Sequence, residues 1–121
     1  MKIGLDTSVI VRLLTGLPDD QARRALAEVQ QLTRRGFTLI VSDLVVTEVY
    51  FALQHHYAVP KPEVLSLLKR FLSDSGVRCL GSAGTVLEMP NLATADPGFV
   101  DRLIHAEYME SDAELLTFER A

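Results

Sequence analysis

Four acidic residues stand in apolar surroundings along the chain, where a charge without a partner is costly to bury. Asp6 closes the run KIGL, Glu48 lies inside VVTEVYFAL, Asp101 sits beside Val100, Leu103 and Ile104, and Glu119 follows ELLTF directly. Carboxylates brought together repel one another and raise each other's pKa values unless a cation lies among them. Hard divalent ions such as Mg²⁺ answer that need, because they take oxygen ligands and bind through one or two carboxylates with water or phosphate. A pair of such ions can activate water and stabilise the leaving oxygen of a phosphodiester. The competing account treats each acid separately, as a solvated side chain or a helix cap. For Asp6, followed by Thr7 and Ser8, the cap is a natural role, since all three residue types satisfy free N–H groups at helix starts.

Whether the acids can meet depends on the elements that carry them. Short apolar runs predict four strands: KIGL near Lys2, FTLIV from Phe37, VRCL from Val77 and ELLTF from Glu114. Between them the apolar residues recur with helical period. Ala22, Ala25, Leu26, Val29 and Leu32 make a stripe within 19–35, and Ser42 can cap a helix through SDLVVTEVYFALQHH with Asp43 in its first turn. Val64, Leu65, Leu67, Leu68, Phe71 and Leu72 form a further face after Pro60 and Pro62. Asp96, Pro97 and Gly98 open a last helix through Met109, with proline at the first helical position. Pro90, in TVLEMPNLATA, predicts a helix that is short, kinked or broken there. Strands alternating with helices imply an α/β domain with a mainly parallel sheet covered on both faces. In such a sheet Asp6 and Glu119 emerge at the carboxyl edge, where ligands bind, and Glu48 and Asp101 arrive from early helical turns.

The length of 121 residues suits one domain spanning 1–121. The formal charge of −4 announces no nucleic-acid partner, although metals held by acidic side chains reverse the local sign. Cys79, the single cysteine, excludes an internal disulfide and fits a reducing cytoplasm. The N-terminus lacks the pattern of a secretory signal, and no stretch reaches the ~20 apolar residues that span a bilayer. The expected protein is soluble and cytoplasmic, with no membrane partner.

The segments LDTSVIVRLL, VSDLVVTEVYFAL and GFVDRLIHA followed by LLTFER, from Ile3 to Arg120, are similar to those of PIN domains, especially the short VapC-type toxins of toxin–antitoxin pairs. The resemblance implies a three-layer α/β fold and a metal-dependent endoribonuclease with a Mg²⁺ or Mn²⁺ site. Asp6, Glu48 and Asp101 would match the first three family acids and Glu119 the fourth. Thr7 and Ser8 fall where the family has a hydroxyl and an asparagine, and would orient Asp6 or contact water at the metal. Thr117 matches the hydroxyl of the family's Thr-Phe-Asp segment. The resemblance further implies an RNA substrate such as transfer RNA, a small antitoxin as partner, and a homodimer.

Glu119 in place of aspartate, Ser8 in place of asparagine, and Pro90 support a different expectation: a PIN-like module that binds RNA or an antitoxin without cleaving. Similar toxins add a strand beyond the position of Ala121, so the resemblance expects an open sheet edge closed by a second copy or by an antitoxin segment. A third possibility is an unrelated α/β domain whose acids never converge. Among the remaining polar residues, Asp96 is expected to cap a helix, and His55 and His56 to close one where cations favour the dipole. His105, Asp112 and Glu114 are expected at the surface, as are Arg12, Arg23, Arg24, Arg34 and Arg35. The aromatic residues form no stacking motif of the RNA-recognition type.

Overall fold

Each strand turns within a few residues into a helix, and this repeating junction organises the computed structural model, which describes residues 1–118. Strand β1 (Lys2–Gly4) leads to α1 (Thr7–Thr15), and α2 (Asp19–Arg34) returns the chain to β2 (Thr38–Val41). Helices α3 (Asp43–His55) and α4 (Lys61–Asp74) then connect to β3 (Arg78–Cys79), which is followed by α5 (Ala83–Leu87), a short 3-10 turn (Leu92–Thr94) and α6 (Phe99–Glu110).

The caps expected from the sequence form. Asp6 accepts the Val9 N–H at 3.2 Å and Ser42 accepts the Val45 N–H at 3.2 Å, each satisfying a donor that the first helical turn leaves free. Gly16 closes α1 in the left-handed region, at φ 70°, where a side chain is disfavoured. Helix α5 ends at Leu87, before Pro90, as proline demands. Helix α6 differs from expectation: it starts at Phe99 after Gly98, so Pro97 lies outside it and Asp96 does not cap it.

The strands pair in parallel in the order β1-β2-β3, with Ile3 opposite Leu39 and Val41 opposite Cys79. The sheet has three strands among the described residues, where the sequence predicted four. The ELLTF segment carries no strand: Leu116 and Phe118 are 86% and 101% exposed. A short apolar run becomes a strand only where a neighbouring edge and a buried face receive it, and among the described residues no strand pairs with this one. Strand β1 is also less buried than predicted, with Lys2 and Gly4 exposed and Leu5 the first residue to enter the core.

Val46, Val49, Tyr50 and Leu53 form the buried face of α3, and Val64, Leu65 and Leu68 that of α4. They join Leu5, Ile10, Leu39, Val41, Leu87, Phe99 and Leu103 in one hydrophobic cluster. Phe99 meets Tyr50 edge-on, with ring centroids 5.0 Å apart. The start of α6 is thereby fixed against the middle of α3. No helix among the described residues is long and apolar enough to cross a membrane.

Candidate metal centre

Asp6 is placed by the strand-to-helix junction at the sheet's carboxyl end. Its Oδ1 accepts the Ser8 hydroxyl at 2.8 Å as well as the Val9 N–H. These donors favour the charged form. The Ser8 hydroxyl has the largest part in holding the Asp6 carboxyl below its ordinary value, followed by the Val9 N–H. Partial desolvation opposes them, and the Ser8 N–H and the Arg12 charge assist. Asp6 is exposed and is kept ready as an anion.

Glu48 comes from the second turn of α3. Its Oε1 accepts the Thr7 hydroxyl at 3.0 Å, a bond between residues 41 positions apart. Consecutive hydroxyls at the start of α1 therefore serve two acids: Thr7 holds Glu48, and Ser8 holds Asp6. Glu48 is exposed, with Leu44 beside it at 71% exposure and Ala52 half-buried. Its apolar neighbours in sequence project around the helix into the core. Glu48 falls on the rim, and its charge stays hydrated.

Asp101 occupies the first turn of α6 and is exposed, as is His105 one turn later. Its neighbour Arg102 donates from Nε to the Pro97 carbonyl at 2.6 Å, tying the helix start to the preceding loop. Thr117 is exposed in the segment without a strand, and Glu119 lies outside the described residues. Among the described residues no three His, Cys, Asp or Glu side chains stand together as a group able to hold one ion. The contacts that tie these acids at the start of α1 are Thr7 with Glu48 and Ser8 with Asp6.

The reach of Asp43 had no sequence signal beyond its first-turn position. Its carboxylate accepts the N–H groups of Ser82 and Ala83, both at 2.9 Å, and the Cys79 thiol at 3.5 Å. A Cβ on Gly81 would overlap this carboxylate, so glycine there leaves room for Asp43 to keep its place. Asp43 thus fastens the β3–α5 connection to the helix that carries Glu48.

Exposed carboxylate oxygens, such as those of Asp6 and Glu48, are the kind of donor that a hard divalent cation takes. A PIN domain family model matches residues 3–121. Comparison with curated proteins and with solved structures gave no match.

Proposed function

The chain belongs to the PIN domain family, a family of nucleases, and from that membership we propose that it is a Mg²⁺- or Mn²⁺-dependent endoribonuclease. The observation that carries the reading is the paired contact at the start of α1, where Thr7 bonds Glu48 and Ser8 bonds Asp6. Two carboxylates from separate elements are oriented there by adjacent residues. Asp6 and Glu48 would hold the cation, with Asp101 and Glu119 completing the acidic set. When bound, the ion supplies Lewis-acid stabilisation of a phosphodiester oxygen and activation of water. The chain's residues orient the ligands: Ser8 orients the Asp6 carboxylate and favours its charged form, Thr7 fixes the Glu48 carboxylate, and Arg102 steadies the turn that presents Asp101. As a single domain over 1–121 acting in the cytoplasm, the protein would be a toxin restrained by a small antitoxin and paired as a homodimer.

Calorimetric titration with Mn²⁺ tests the metal site without requiring the RNA to be known. Asp6→Asn suits this purpose because asparagine caps a helix about as well as aspartate, so the charge is lost while the fold is kept. The parent is expected to bind saturably, and Asp6→Asn and Asp101→Asn to lose that binding. Equal binding by parent and variants would overturn the assignment. Absence of binding at millimolar metal would favour a PIN module that binds RNA or an antitoxin without cutting.

A further inference from the structure

We infer a nucleotide-binding subsite beside the Asp6–Glu48 pair, in which Arg12 and His56 hold a phosphate of single-stranded RNA while the Tyr57 ring stacks on a base. The inference rests on the nuclease reading and names the part of the surface that receives its substrate.

A cavity of about 350 Å³ opens where α1 packs on α3, lined by Thr7, Ser8, Arg12, Pro18, His56 and Tyr57 among others. Its size lies within the range of small-ligand sites, roughly 300–1,000 Å³. Thr7 and Ser8, which line it, also bond the two acids. A strand seated in the cavity therefore continues directly to the carboxylates. The wall from α3 leads to the same place. Glu48, Ala52 and His56 succeed one another at intervals of four residues, placing His56 about 12 Å along the helix from Glu48.

Arg12 is half-buried, unlike the surface arginine expected from the sequence. Its Nε donates to the Gln21 Oε1 at 2.9 Å and one Nη to the Ser8 carbonyl at 2.9 Å. A guanidinium has five N–H donors, so these bonds hold it in place and leave further donors for a phosphate. A pre-ordered guanidinium loses less entropy on binding than a free one. An Arg12 that served only to tie α1 to α2 would need no contact with a cavity shared with an imidazole and an aromatic ring. Tyr57 follows the α3 cap, lines the cavity and is 39% exposed. Every base offers a face to such a ring, whatever the sequence.

Fluorescence anisotropy with a labelled oligouridylate, in chelator so that no cleavage occurs, tests the subsite. Tyr57→Ala is expected to weaken binding about tenfold, in the range of one lost stacking contact, and Tyr57→Trp to restore it. Arg12→Gln is expected to weaken binding and lower the slope of log affinity against log salt by about one. Arg70→Gln, a charge change on the exposed surface of α4, should leave binding unchanged. Tyr57 is exposed, so its variants keep the test valid should Arg12→Gln disturb the contact with α2. The subsite is overturned if the parent does not bind, if Tyr57→Ala and Arg12→Gln bind like the parent, or if Arg70→Gln weakens binding equally. This assay contains no divalent metal and the Mn²⁺ titration contains no RNA. Failure of the subsite is therefore distinguishable from failure of the nuclease reading.

Discussion

At the Asp6 carboxylate, one oxygen both completes the helix cap and receives the Ser8 hydroxyl. The same contacts that start α1 thus favour the anion that the proposed cation site requires. Ser8→Ala removes the largest cause of the lowered pKa, so the Asp6 carboxyl should move back up towards its ordinary value of about 3.9, as read by a carbon-13 NMR titration. The effect on stability has a definite sign. A carboxyl whose folded pKa is depressed contributes stability above its unfolded pKa and loses it as pH falls through the folded value. Ser8→Ala should therefore be less stable than the parent in urea at neutral pH. The two curves should converge in acid, below the folded pKa of Asp6. A gap that persisted unchanged in acid would mean that Ser8 acts by some route other than the Asp6 charge.

Elements are joined by Asp43 as well as by apolar packing. Asp43→Ala leaves the Ser82 and Ala83 N–H groups without their acceptor and should cost about 1–3 kcal/mol in urea denaturation. Gly81→Ala should cost a similar amount, because its methyl group would push the same carboxylate aside. The double variant should cost less than the sum, since both changes remove one set of bonds; strict additivity would refute the shared mechanism. This link also marks the limit of what the chain discloses before folding. The caps at Asp6 and Ser42, and the buried face of α4, were legible because they depend on residues within two turns of each other. Asp43 looked like a first-turn acid because its partners lie 39 and 40 residues away. The ELLTF run was misread for a related reason: its composition suits a strand, but strand formation depends on a receiving edge that composition does not specify. At the candidate site, junctions and early turns singled out the acids, of which the structure ties Asp6 and Glu48 to neighbouring hydroxyls. The Thr7–Glu48 contact and the half-burial of Arg12 required the packing of α1 against α2 and α3.

Across the whole molecule, 16 acidic residues outnumber 12 Lys and Arg, so any attraction for RNA has to be local, at groups such as Arg12 and a bound cation. The acids themselves are positioned by a common core. Leu5 precedes Asp6, Val49 and Tyr50 follow Glu48, and Phe99 precedes Asp101, and all four apolar residues belong to one cluster. Phe99 is 1% exposed and joins α6 to α3 through the edge of Tyr50. Truncating such a ring removes its burial and leaves a cavity, at a cost of about 3–5 kcal/mol. For a chain of this size, Phe99→Ala should lower Tm by about 12–20 °C. If the cluster unfolds as a unit, far-ultraviolet circular dichroism and tyrosine fluorescence should report the same shifted midpoint. Separate midpoints would instead make α6 an independently melting element. Asp101 would then sit on a helix whose order is not guaranteed by the core that holds Asp6 and Glu48.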